Sequence, residues 1–251
     1  RAGNPMVSDH ESTFSTISNI IASIWTGTEV PVIDSDPDTT PIEVGVKFQS
    51  ELAGWITGIR YYRGTNNPGP HVGSLWSADG TLLGSVTFSN ETASGWQEQL
   101  LAVPVAINAN TTYVASYYAP QGGFSADSGY FSSGGVTNYP LRALGNSESV
   151  NGVFNYGSSG FPASTFNAAN YWVDVVYAAN MPPVFDSTPA NVTINEGQLL
   201  TVTNTATDAD LPAQTLTYQL TTAPAGASID ANGVITWTPG ESDGGTTNLF
   251  T

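Results

Sequence analysis

The sequence predicts an all-β protein: a jelly-roll-like β-sandwich followed by a second, incomplete immunoglobulin-like β-sandwich. Three observations carry this. Short runs of alternating apolar and polar residues recur between Gly, Asn, Asp and Pro turns, the pattern of half-buried strands. The 251 residues include 26 Gly and 16 Pro but only five Lys and Arg, so almost no stretch can sustain a long helix. The strand rhythm also restarts after the prolines at 182 and 183, as expected for a second module.

Residues 1–21 are expected to form an N-terminal arm. Phe14, Ile17, Ile20, Ile21 and Ile24 have helical spacing, but the Ser, Thr and Ile around them favour a strand. Residues 29–43 read as an acidic loop in which Asp34, Asp36 and Asp38 alternate and Glu43 follows. Such carboxylates can converge on a hard cation, which takes about six to eight oxygens. The loop lacks the Gly and Glu of an EF-hand, so a calcium site here needs a distant acid as well.

The densest strand-like sequence is 43–76, which also holds Lys47, Arg60, Arg63 and His71. Val44, Val46 and Phe48 mark one face of a strand. In 55–62 both alternating sets carry large side chains, which predicts a central strand covered on both faces. Residues 64–70 form a loop, 72–76 a strand, and Asp79 and Gly80 a hairpin turn into 81–88. Further strands are expected at 96–103, 105–107 and 112–118. Residues 119–170 read mostly as loop. Their length demands either function or aromatic packing of their own. The final strand, 171–177, is apolar except for Asp174, and a buried carboxylate must be paired or bind metal. Arg60 or calcium shared with the Asp34, Asp36 and Asp38 loop are the candidate partners.

The first sandwich thus spans 22–178, a linker 179–185, and the second module 186–251. In the second module strands are expected at 192–194, 199–207, 216–220 and 234–237. A further strand starts at Thr251, so the missing strands are expected from later sequence or from a neighbouring chain.

The blocks EVGVKF, GWITGIRYYRG, HVGSLW, GTLLGSVTF, SGWQEQLLAVPVAI, TTYVASYYAP and NYWVDVVY, in that order, resemble the bacterial domain of unknown function 4082 over about residues 22–178. That resemblance implies an exported multidomain protein with immunoglobulin-like neighbours, and no particular activity. NMPPVF, NEGQLLTV, ATDADLPAQTLTYQL and APAGASIDANGVITWTP resemble the immunoglobulin-like, cadherin-like repeats of bacterial surface proteins. By that resemblance Asn180, Asp208 and Asp210 are the positions that would hold calcium between domains, with Glu196 a weaker match; the alternative is that the two aspartates make turn hydrogen bonds.

The net charge of −16 argues against nucleic acid and against an anionic membrane surface. No apolar run reaches the about 18 residues of a membrane span. With no Cys, thiol and disulfide chemistry are excluded. His10 and His71 are the two histidines, and neither has a sequence-local nucleophile or metal partner. No catalytic set is therefore expected. Sugar binding would fall to aromatic and polar groups near the glycine-rich loops: Arg60, Tyr62, His71, Tyr118, Phe124 and Tyr130. The opposing reading is that most of these rings are core. Sequons at Asn90, Asn110 and Asn191 are expected at turns or edges, as glycosylation candidates.

The expected function is a non-catalytic extracellular module pair from a longer bacterial surface, adhesive or filament-forming protein. The competing expectation is a carbohydrate-binding module of a secreted polysaccharide-active protein. Expected partners are neighbouring copies or other domains of the same protein, and glycans. Calcium, in a structural role, is the one cofactor anticipated.

Overall fold

The structure, a computed structural model, describes residues 20–180, 182–186, 190–208, 210 and 215–251. It divides into two compact units after Asn180.

The first unit contains β1 (Ile21–Ala22), β2 (Ile42–Ser50), β3 (Gly54–Arg63), β4 (Val72–Ser77), β5 (Leu82–Thr87), β6 (Gly95–Ile107), β7 (Tyr113–Ala119), β8 (Val136–Asn138), β9 (Leu141–Ala143), β10 (Val153–Tyr156), β11 (Ser164–Thr165) and β12 (Val173–Ala179). One sheet has the order β1-β12-β3-β6 and the other contains β2-β7-β4-β5, all pairs antiparallel. Numbered one to eight in chain order, with β12 as the eighth, the principal strands read 1-8-3-6 and 2-7-4-5. That is jelly-roll topology. The segment between β7 and β12, expected as loop, instead carries β8 to β11. These extend the larger sheet: β10 and β9 both pair with β2, on successive halves of the strand.

The core lies between the two sheets. Val44, Val46 and Phe48 of β2 and Ala115 and Tyr117 of β7 face Ile56, Ile59 and Tyr61 of β3 and Val173, Val175 and Tyr177 of β12, all fully buried or nearly so. Tyr61 and Tyr117 stack across the gap with centroids 4.0 Å apart. Burying one such side chain contributes about 1.5–3 kcal/mol, which lets this unit do without disulfides. As expected, β3 is central and covered on both faces. The strand expected at 105–107 is the end of β6, which runs through Pro104 at a sheet edge with no ladder partner among the described residues. The final strand starts at Val173, later than expected, because Trp172 takes a left-handed conformation (φ 54). Of the expected arm, 1–21, only Ile20 and Ile21 fall within the described residues, and Ile21 opens β1, which pairs with β12.

In the second unit, β13 (Val184–Phe185) pairs with β15 (Ala206–Thr207), while β14 (Leu200–Thr203), β17 (Val234–Trp237) and β16 (Ser228–Ile229) form a three-stranded sheet. The strand expected at 199–207 is split because Asn204 bonds to the Gly233 carbonyl, sending its two halves to different sheets. The segments 192–194 and 216–220 are not strands, since neither finds a ladder partner among the described residues. The expected linker contributes β13 to this unit. Ile235 and Trp237 anchor its core, with Phe250 edge-on to Trp237 at 5.6 Å.

Candidate functional site

Three clusters of chemically capable side chains lie on the first unit. The first sits on the outer face of the smaller sheet. Register places Arg60 between Asp174 and Glu98. Asp174 is completely buried and accepts bonds from the backbone N–H of Ile24 (2.6 Å), Trp25 (3.3 Å) and Val175 (2.7 Å) and from Arg60 Nη1 (3.0 Å). Burial pushes its carboxyl up, to about 7, while Arg60 and the three N–H groups oppose that rise. Arg60 also lies 4.9 Å over the Trp96 ring. Trp25, Trp96 and Trp172 pack at 5.7–6.3 Å from one another, with Tyr62 and Tyr130 edge-on to the group. The result is a lid of aromatic rings over Arg60 and its ion pairs with Asp174 (3.0 Å) and Glu98 (3.5 Å), closed to solvent on its Trp25 and Trp172 sides.

The second cluster is a buried polar network under the 64–70 loop. His71 Nδ1 lies 2.8 Å from the Tyr61 hydroxyl and 2.7 Å from Glu91 Oε1, and Tyr61 also donates to Glu91. Asn67 donates its amide to the Tyr117 hydroxyl (2.9 Å), so its Oδ1 accepts from His71 Nε2 (2.8 Å). Nε2 therefore carries a proton, an assignment that follows from the bonding pattern. Burial lowers the His71 pKa, and the Glu91 carboxylate opposes that. Arg63 ties the loop down through the carbonyls of Asn67 (2.9 Å) and Thr92 (2.6 Å). His71, Asn67, Tyr61 and Tyr117 are all enclosed, so the network fastens a loop and presents no open acid–base pair.

The third cluster lies on the outer face of the larger sheet. Glu43 of β2 is fully buried there, and so is Ser116 opposite Gly45. Ser116 donates to Glu43 Oε1 (2.6 Å) and receives the Trp76 indole N–H (2.8 Å). Ser159 donates to Glu43 Oε2 (2.8 Å), and the Gly160 backbone bonds to the same carboxyl. Burial without a cation pushes the Glu43 carboxyl up to about 7.

The residues expected to bind a sugar are not gathered into one site. Arg60 is engaged with Asp174. Tyr62 and Tyr130 belong to the tryptophan group, and His71 to the loop network. Phe124 is buried edge-on to Tyr171. Tyr118 is half-buried, opposite Glu43 in the ladder. Of the two partners expected for Asp174, Arg60 is the one found beside it, together with backbone N–H groups, and the acidic loop makes other bonds. Asp34 instead holds Thr65 through its N–H (2.9 Å) and hydroxyl (2.6 Å), Asp36 caps the Asp38 N–H (2.9 Å), and Asp38 accepts from Thr40 N–H (2.9 Å) and the Tyr156 hydroxyl (2.6 Å). Asp208 accepts from the Asp210 N–H (2.8 Å), the turn bond. Asn180 belongs to the first unit and the two aspartates to the second. Among the described residues no three Asp, Glu or His groups converge as a metal site would require. The sequon residues Asn90, Asn110 and Asn191 are exposed, the first two in left-handed turns.

Sequence reasoning missed Asn67, Glu91, Trp25 and Trp96. In the sequence Glu91 is only the middle residue of the Asn90 sequon, and Trp25 follows the ambiguous arm.

The topology and the enclosed polar clusters define a class: β-sandwich modules, here a jelly roll followed by an immunoglobulin-like unit. Residues 28–173, more than half of the chain, match the model of the family described as Domain of unknown function (DUF4082), and the chain belongs to that family. Residues 182–250 match the model of the family described as Putative Ig domain. No curated protein matches the chain.

Proposed function

We propose that this chain is a non-catalytic pair of extracellular modules from a bacterial surface, adhesive or filament-forming protein, and that its partners are neighbouring copies or other domains of that protein. The observation that supports it most is how the ionisable groups of the jelly roll are used. Arg60 is locked on Asp174, Arg63 on two loop carbonyls, and Arg142 on Glu148 and Gln49. His71 is closed in with Glu91. These groups fasten loops to a rigid sandwich, which is the work of a presenting scaffold. An immunoglobulin-like unit on the same chain suits a spacer. The acidic, cysteine-free composition suits exposure at a cell surface.

The test is to label intact producing cells with an antibody against residues 20–180 and to compare them with lysed cells. Labelling of intact cells, lost after brief external proteolysis, is the expected result. Signal confined to lysed cells would overturn the reading.

A further inference from the structure

The cluster around Glu43 has a feature that packing alone does not call for. Residues 157–163 form the loop between β10 and β11, and this loop crosses the outer face of the larger sheet. It is held there by three side chains, one of them the buried Pro162. Phe161 packs edge-on against Trp76, with centroids 5.8 Å apart, over Val114 and Val153. Ser159 sets its hydroxyl on Glu43. The rest of the strap is slight: Gly157, Ser158 and Ser159 are exposed, and a Cβ at Gly160 would have no neighbour closer than 3.9 Å.

Beneath it lie an indole ring, a carboxylate and a hydroxyl side by side on a rigid strand face. The carboxylate has no cation among the partners given above, so its desolvation is offset only by neutral donors. A Gln at this position would accept from the same serines at a lower desolvation cost. A carboxylate and an aromatic face together fit one ligand chemistry well. Adjacent sugar hydroxyls donate to a carboxylate, and the C–H face of the ring lies on an indole. In the present structure the strap supplies imitations of both, with Ser159 as the hydroxyl and Phe161 as the apolar body.

We propose that Trp76, Glu43 and Ser116 form a binding subsite for a neutral saccharide, and that the 157–163 strap occupies it as an internal ligand which the saccharide displaces. This goes beyond the surface-module reading and does not depend on it, since cell labelling and sugar binding are read separately.

The experiment uses the full chain against immobilised neutral hexaoses of gluco, xylo, manno and galacto configuration. The Trp76 indole N–H resonance is followed by NMR. On the proposal, at least one hexaose shifts that resonance in the native chain. Ser159→Ala with Phe161→Ala tightens its binding about tenfold, because the internal competitor is weakened. Glu43→Gln, which preserves the shape of the site, weakens binding about tenfold or more. The proposal is overturned if no hexaose binds either the native chain or the strap variant, or if binding leaves the Trp76 resonance unmoved. It is equally overturned if Glu43→Gln binds as well as the native chain.

Discussion

Asp174 accepts four hydrogen bonds, one of them from Arg60, in a place with no access to water. Removing Arg60 takes away the one cation that offsets the burial of this carboxyl, which then keeps its proton at neutral pH and loses its strongest partner, so Arg60→Ala should destabilise the first unit by about 3 kcal/mol. Urea unfolding followed by tryptophan fluorescence reads this directly, since of the six Trp only Trp237 lies outside that unit. Glu43 sets a pH dependence whose sign is fixed. Its folded pKa is about 7, above the usual 4.5 of a glutamate carboxyl. The protonated form is therefore favoured by folding: its stabilisation is complete below pH 4.5 and is lost as pH rises through about 7. The loss approaches about 3 kcal/mol, and Asp174, also raised to about 7, adds in the same direction. Glu43→Gln should flatten the decline between pH 4.5 and 7, measured as unfolding free energy against pH. An unchanged slope would show that Glu43 is not the titrating group. Asp174 was legible in the sequence because a carboxylate in an apolar strand needs a partner, and Arg60 was one of two candidates. Glu43 was not, because it opens a strand beside a run of acids and reads as part of their loop.

At the scale of elements, three loops meet backbone to backbone. A Cβ on Gly123 (φ 71) would lie 2.0 Å from the Asn66 carbonyl oxygen, and one on Gly122 (φ 64) 2.0 Å from that of Asp38. The Gly123 N–H also donates to the Asp38 carbonyl (2.8 Å). Gly123→Ala should therefore cost at least about 2 kcal/mol and loosen the 64–70 loop above His71. Faster hydrogen exchange at Asn67 in the variant would report it. The strands themselves were readable from alternation, and β3 even from its large side chains on both faces. The pairings were not: β1 finds β12 some 150 positions away, a distance set by the Asp174 hydrogen bonds and not by any local pattern. Within 119–170 the aromatics were visible but the short strands β8 to β11 were not, because two to four residues are too few to show a period.

At the scale of the whole molecule, the first unit closes on itself. Among the described residues, its strands, from Ile21 to Ala179, pair only with one another. Residues 20–180 produced alone should fold, with a cooperative urea transition and dispersed amide resonances matching those of the full chain. A molten or aggregated product would show that the second unit is needed. The order of the two sandwiches was legible because a Pro pair and a change of rhythm separate them. The internal division of the second was not, since one expected strand serves two sheets.

The pairing of β1 with β12 has a mechanical consequence. Ile21 lies opposite Ala178, and the Ala179 N–H donates to the Ile20 carbonyl. The polypeptide therefore enters and leaves the jelly roll at one corner, in antiparallel neighbouring strands. A pull on both ends would open that corner like a zipper, one bond pair after another, instead of loading the bonds together in shear. In a tethered assembly under flow, this sandwich would hang beside the line of force. Its first response to traction would be to peel β1 away from β12, uncovering the buried Asp174 that β1's successor residues had capped.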